Sequence, residues 1–181
     1  MRAFVGLPVP EGWIGPMMRA QARLPGGRTV EADDLHVTLA FLDDQPEARL
    51  EALHEELDSR PLPRATLIPM TWALLGADRP RAAGLDLSAD AGLVALRDQV
   101  RGAARRAGID LPRDRFRPHV TLARFGATAP ADMTRLPGAL ARLGPPEVAA
   151  APAGAAILWS SVLTPQGPQY DTLASYPLGA A

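Results

Sequence analysis

Leu93, Leu96, Val100, Ala103 and Ala107 recur at helical spacing, and Gly108 follows where a left-handed residue closes a helix. The spacing predicts a helix over Asp90–Ala107. A second stripe, Leu50, Leu53 and Leu57 among acids, predicts a surface helix over Pro46–Ser59, with Pro46 near its first turn. The Pro/Gly-bounded stretch Glu11–Leu24 predicts a third. Alternating or wholly apolar runs predict strands at Arg2–Leu7, Leu35–Leu42, Ala65–Gly76, Arg81–Leu87, Phe116–Phe125, Ala155–Leu163 and Tyr170–Tyr176. Turns are expected at Pro25–Gly27, Ala77–Pro80 and Thr164–Pro168. The Pro- and Ala-rich stretch Pro130–Pro152 offers only a short helix around Ala139–Leu143.

One pentapeptide, His-Val-Thr-Leu-Ala, occurs twice, at His36–Ala40 and His119–Ala123, in a chain with only three histidines. Both copies fall in predicted strands, where side chains alternate between faces. His36 and Thr38 therefore share one face, with Val37 and Leu39 on the other. His119 and Thr121 stand likewise against Val120 and Leu122. Several consecutive strands lack a helix between them, which favours antiparallel or mixed sheets over a doubly wound parallel one. With one motif strand in each half, the expected fold is α+β and bilobal. Two pseudo-two-fold-related antiparallel or mixed sheets would face a central cleft, with helices packed outside. Residues 1–181 are read as one such domain.

Composition narrows the chemistry. At 181 residues and 47% hydrophobic, the chain can bury a sizeable core. No apolar run approaches a membrane span, and Met1–Leu7, soon broken by Pro8 and Pro10, is too short for a signal peptide. A cytoplasmic location is expected. Cysteine is absent, which excludes disulfides, thiolate metal sites and a cysteine nucleophile. The net charge of −1 argues against a broad polyanion-binding surface, so any nucleic-acid contact should be local. All 19 basic residues are arginine, a bias that reads as genomic base composition.

Two imidazoles across a cleft can serve as general acid and general base near neutral pH. Threonine hydroxyls two residues on can donate to an oxyanion between them. A phosphodiester suits this symmetry, since in-line displacement needs a base and an acid on opposite sides of phosphorus. The scheme requires no metal or other cofactor. A lysine-bearing phosphate loop, Gly-x-Ser-x-Gly and His-Glu-x-x-His are all absent. A two-histidine metal site is the weaker reading, because no acid shares the inferred cleft face of either strand.

Leu35-His36-Val37-Thr38-Leu39-Ala40-Phe41-Leu42 and Phe116-Arg117-Pro118-His119-Val120-Thr121-Leu122-Ala123-Arg124 resemble the paired signatures of the 2H phosphoesterases. The resemblance is closest to the RNA 2′,3′-cyclic phosphodiesterases, also called 2′-5′ RNA ligases, and covers nearly the whole chain. Met1–Pro8 resembles that family's first strand, and Leu158–Ser161 through Tyr170 to Leu178 its closing hairpin. The resemblance implies hydrolysis of a 2′,3′-cyclic phosphate at an RNA end, or of a small cyclic nucleotide, to a 2′-phosphate. It makes His36 the acid that protonates the departing 3′ oxygen and His119 the base that activates water. It places Thr38 and Thr121 on the free phosphate oxygens and ties Arg124 to substrate or phosphate. The residues themselves are symmetric on the acid and base roles. Asp43 stands where the family often has Gly, and Trp159 where Tyr is common. A monomer without an obligate protein partner is expected. Reverse 2′-5′ ligation and a non-catalytic binder of RNA ends are the alternatives, and an intact acid/base pair argues against the second.

Other residues carry weaker readings. Strict alternation from His119 puts Arg124 on the apolar face unless a bulge or strand end releases it. The same parity puts Phe41 in the core. Arg113, Arg115 and Arg117 could guide a backbone toward His119 or simply be solvated. Phe116, Trp159 and Tyr170 are candidates for base stacking, with core packing the plainer role for each. His54 is expected to be solvated, and Asp33 and Asp34 to shape a turn.

Overall fold

The computed structural model describes residues 1–76, 81–126, 130–165 and 167–179. Its first half runs β1 (Arg2–Pro8), α1 (Glu11–Gln21), β2 (Arg28–Thr29), β3 (His36–Asp44), α2 (Glu47–Asp58), β4 (Thr66–Leu67) and β5 (Pro69–Leu75). The second runs β6 (Ala82–Leu87), α3 (Ala91–Arg106), β7 (His119–Arg124), α4 (Pro130–Ala141), β8 (Ala151–Pro152), β9 (Ala155–Thr164) and β10 (Gly167–Pro177). The turn expected at Ala77–Pro80 lies outside the described residues, as does Gln166 in the closing hairpin. Among the described residues no helix is long and apolar enough to cross a membrane.

Apart from the short β2, the order β–α–β–α–β–β occurs twice, so the duplication extends well beyond the pentapeptide. Gly6 of β1 lies opposite Thr38, and Gly84 of β6 lies opposite Thr121. A Cβ at Gly6 would collide with the Val37 carbonyl oxygen, and one at Gly84 with that of Val120. Each motif strand thus presses against a backbone that only glycine allows so close. The main sheet has the order β10-β9-β1-β3-β7-β6-β5, with β2 also on β7. Its two halves meet where Val37 faces Val120 between the antiparallel β3 and β7. The short antiparallel pair β4–β8 ties corresponding segments of the two halves at a second seam. Every named strand pair is antiparallel, which resolves the antiparallel-or-mixed expectation. β10 has no counterpart in the other half.

Helices cover the face away from the motif histidines, and they do so crosswise. α1 packs on β7 and α3 on β3, each on the half it does not directly follow. One cluster therefore joins Leu7, Val37, Leu85, Leu93 and Leu122, all fully buried. Each such leucine contributes roughly 1.5–3 kcal/mol relative to exposure. α3 begins at Asp90, whose carboxylate accepts from the backbone N–H groups of Gly92 and Leu93. It ends as expected at Gly108, which has φ +77°. There the Ile109 N–H reaches the Ala104 carbonyl at 2.9 Å.

Several boundaries differ from the sequence reading. The single strand expected over Ala65–Gly76 splits, because Thr66–Leu67 pairs with β8 while Pro69–Leu75 pairs with β6. β7 starts at His119 and not at Phe116, since Pro118 supplies no N–H for the ladder. α4 is longer than the short helix expected around Ala139–Leu143, and it contains Pro137. Leu136 and Leu140 pack against Ala83, Ala123 and Phe125, a burial that outweighs the missing hydrogen bond.

Asp43, where the resembling family often carries Gly, has φ +59° and is the one non-glycine with positive φ among the described residues. It adjoins an irregularity in the β1–β3 ladder, where Ala3 faces Asp43 but Phe4 faces Phe41. Its exposed contact with Arg2, at 3.7 Å, contributes little. Asp43→Gly is expected to stabilise the fold by about 0.5–1 kcal/mol. An unchanged or lower urea midpoint would contradict this.

Candidate active site

The two motif strands share a defect as well as a sequence. In β3 the ladder with β1 slips between Val5 and Gly6, which face Ala40 and Thr38 and leave Leu39 extra. In β7 the ladder with β6 slips between Ala83 and Gly84, which face Ala123 and Thr121 and leave Leu122 extra. Each bulge reverses the facing of the residues beyond it. Burial is accordingly the same in both copies: Leu39 and Ala40 are buried, as are Leu122 and Ala123, and the next residue is exposed. That next residue is Phe41 in one copy and Arg124 in the other. Phe41 is therefore not core, as parity suggested; it is 44% exposed, with the Arg2 guanidinium 4.6 Å from its ring centre. Arg124 is released to the cleft by the bulge.

Gln21 of α1 supports the second bulge. It is almost fully buried, and its Nε2 donates to the carbonyls of Leu122 and Val30, both at 2.8 Å. The Val30 N–H donates to the same Leu122 carbonyl at 2.9 Å. Nothing local in the sequence marks Gln21, because its partners are distant in the chain.

Each motif histidine is fixed by the carbonyl two residues before it. His36 Nδ1 lies 2.6 Å from the Asp34 carbonyl, and His119 Nδ1 lies 2.8 Å from that of Arg117. A carbonyl only accepts, so Nδ1–H is the donor in both. Nε2 is then the nitrogen left for chemistry on each ring, the same tautomer twice. His36 lines a recess with Thr121 and Arg124, while Thr38 lines a larger groove with His119. Each histidine thus shares a recess with the threonine of the opposite copy. The structure brings together all five residues singled out from the sequence, His36, Thr38, His119, Thr121 and Arg124.

The surroundings of the two rings are unequal. His36 sits against Phe4, Trp159 and Tyr170, at centroid distances of 4.8, 5.5 and 5.6 Å. Phe4 and Trp159 are themselves stacked at 5.1 Å. Burial pushes the His36 imidazole down to about 4, the Asp34 carbonyl opposes this, and the charges of Arg124 and His119 lower it further. His36 is neutral at neutral pH in this cleft. The aromatic wall belongs to β1, β9 and β10. On the other side Ala82 opposite Leu75 stands where Phe4 faces Trp159, and the missing tenth-strand equivalent leaves His119 without such a wall.

Arg124 shares a side-chain hydrogen bond with Tyr170, and burial raises the Tyr170 phenol against that arginine's pull. β2 lays Arg28 beside Arg124, and Arg28 lines the same recess. Arg28 and Gln21 are the site residues that sequence reasoning missed; β2 has only two residues, too short for a periodic signal. Asp33 and Asp34 form the expected turn, a short 3₁₀ segment, whose further role is to supply the carbonyl that orients His36. The Asp34 carboxyl is raised by burial and by Glu31 and Asp33. Arg117 is held by Asp86 through contacts of 3.1 and 2.7 Å, so it is structural. Trp159 is buried, in keeping with packing, and Phe116 lies in the larger groove. His54 is exposed as expected, though Nδ1 lies 3.0 Å from the Tyr176 hydroxyl.

Comparison with known proteins places the family and the fold. Residues 9–160 match the family model described as the 2′-5′ RNA ligase superfamily. The chain is 32% identical to an RNA 2′,3′-cyclic phosphodiesterase of Aeropyrum pernix, over 81% of this chain and 83% of that protein. It is 31% identical to a Thermus thermophilus protein of the same name, over 98% and 90%. The crystal structure of TT0787 of Thermus thermophilus superposes with a TM-score of 0.78 at 25% identity, covering 98% of each chain. With the doubled motif, its matched bulges and these likenesses in hand, the chain belongs to the 2′-5′ RNA ligase superfamily.

Proposed function

We propose that this chain, acting as one bilobal domain, hydrolyses the 2′,3′-cyclic phosphate at RNA ends, or in small cyclic nucleotides, to a 2′-phosphate. The observation that carries the reading is the pair of imidazoles on β3 and β7, held in the same tautomer on either side of one seam. His119 Nε2 takes a proton from water as its oxygen bonds to phosphorus. The bond from phosphorus to the 3′ oxygen breaks, and His36 supplies the proton that leaves a 3′-hydroxyl. Thr38, Thr121 and Arg124 hold the free phosphate oxygens. The relatives named as RNA 2′,3′-cyclic phosphodiesterases support the activity, and the assignment of acid to His36 and base to His119 follows the family resemblance. The depressed His36 value fits an acid that is charged only when a phosphate anion lies against it, since an opposite charge a few ångströms away favours the protonated form. The scheme uses no metal, and we expect a cytoplasmic monomer.

Incubation with 2′,3′-cyclic AMP and with RNA ending in a cyclic phosphate, in excess EDTA, tests the reading. Sustained turnover to 2′-phosphate products is expected. Loss of turnover in EDTA would rule out the metal-free scheme, and a 3′-phosphate product would reverse the leaving-group assignment. The same centre with an RNA 5′-hydroxyl in place of water, the 3′ oxygen again leaving, joins the two ends through a 2′-5′ linkage, which added 5′-hydroxyl RNA would reveal.

A further inference from the structure

A groove of about 730 Å³ opens from His119 and Thr38 along the loop that precedes β7, and the scheme above leaves most of it unused. Four arginines line it; Asp86 pairs with Arg117, which leaves Arg97, Arg101 and Arg115 to face the single carboxylate of Asp114. In a chain of net charge −1 this is a local concentration of positive charge.

The deepest pair is the informative one. Arg97 and Arg101, one turn apart on α3, are 8% and 6% exposed. Both reach the same oxygen of Asp114, at 2.7 and 3.3 Å, and that aspartate is 57% exposed. Two buried guanidinium groups thus share one solvated counter-charge, with Arg101 also donating to the Pro112 carbonyl. Arg101 is lowered by burial and by Arg97, and Asp114 and Asp98 only partly oppose this. Buried like charges with one partner are costly unless a further anion completes them. Arg115 beside them has no ion pair among the described residues. The Phe116 ring, with the Arg97 guanidinium 4.6 Å from its centre, supplies an aromatic surface in the same groove.

Resting on the cyclic phosphodiesterase reading, we propose that this groove is a subsite for the phosphodiester of a neighbouring nucleotide. The substrate is then an RNA strand end in preference to a free cyclic mononucleotide. A strand phosphate completes the Arg97–Arg101 pair, Arg115 adds a contact at the rim, and a base stacks at Phe116.

The test compares kcat/KM for 2′,3′-cyclic AMP with that for a short oligoadenylate ending in a 2′,3′-cyclic phosphate. Wild type is expected to prefer the oligonucleotide by about tenfold or more, with the preference falling steeply as salt rises. Arg115→Ala and Arg101→Gln should each cut that ratio by about tenfold, a loss fitting one hydrogen bond to a charged group. Arg113→Ala, a change at a neighbouring residue outside the groove, should preserve it. Arg115 is exposed, so its variant reports even if Arg101→Gln fails to fold. Equal kcat/KM for the two substrates, or a ratio indifferent to Arg115, overturns the subsite and leaves the cyclic phosphodiesterase reading intact. Binding of an oligoadenylate 2′-phosphate that depends on Arg115, without turnover of either substrate, supports the subsite and overturns the activity.

Discussion

His119→Ala and His36→Ala should each reduce kcat for a 2′,3′-cyclic phosphate by about 10²–10⁴-fold, the range of a positioned general acid or base. KM should change little, because on the proposed reading the threonines and Arg124 still hold the anion. The double variant should be far less than multiplicatively worse, since the two imidazoles act in one proton-transfer cycle and losing either breaks it. Folding is not at issue for His119, which stands half-buried at the start of β7 with a single hydrogen bond to the Arg117 carbonyl. Steady-state kinetics beside a urea titration separate the two effects. A kcat within a few-fold of wild type in a folded single variant would remove that histidine from the mechanism. His119→Gln is a sharper probe, because it keeps a polar side chain there but removes the base.

The second large effect is one of pH. With His36 lowered to about 4, one limb of kcat/KM, which reports the free enzyme, should fall near pH 4. The limb of kcat, which reports the substrate complex, should lie higher, because the bound phosphate anion favours the protonated ring. Burial is the largest cause of the shift, so opening the wall by Tyr170→Ala should move the kcat/KM limb upward toward the ordinary histidine value. Stability follows from the same proton. The unfolded chain takes it up near 6.5 and the folded chain near 4, so His36 contributes stability present above 6.5 and lost as pH falls through 4. The stability difference between wild type and His36→Gln should shrink across that window. The absence of a kcat/KM limb near 4 in wild type, or a difference constant with pH, would show that the ring is solvated.

Much of the fold was legible in local pattern, because helix stripes and strand alternation follow from backbone geometry. The stripe from Leu93 to Ala107 and the glycine at 108 foretold α3 with its cap. The Pro- and Ala-rich region hid α4, since Pro137 reads as a breaker until Leu136 and Leu140 find Phe125. The strand over Ala65–Gly76 read as one element because its division depends on two partners, β8 and β6. Parity failed at Phe41 and Arg124 for one reason: a bulge is a property of a strand pair, and a single strand does not display it.

The duplicated His-Val-Thr-Leu-Ala was enough to single out the candidate side chains, because alternation puts His and Thr on one face of any strand they occupy. It could not say that His36 and Thr121 share a recess, or that Phe41 and Arg124 are matched positions that both turn outward. Those arrangements come from the Val37–Val120 seam, from Gly6 and Gly84 pressed against the motif strands, and from Gln21 reaching the Leu122 carbonyl. Nor could the identical copies predict unequal histidines. That inequality comes from packing, since β10 exists on one edge only and its Tyr170 closes an aromatic wall around His36.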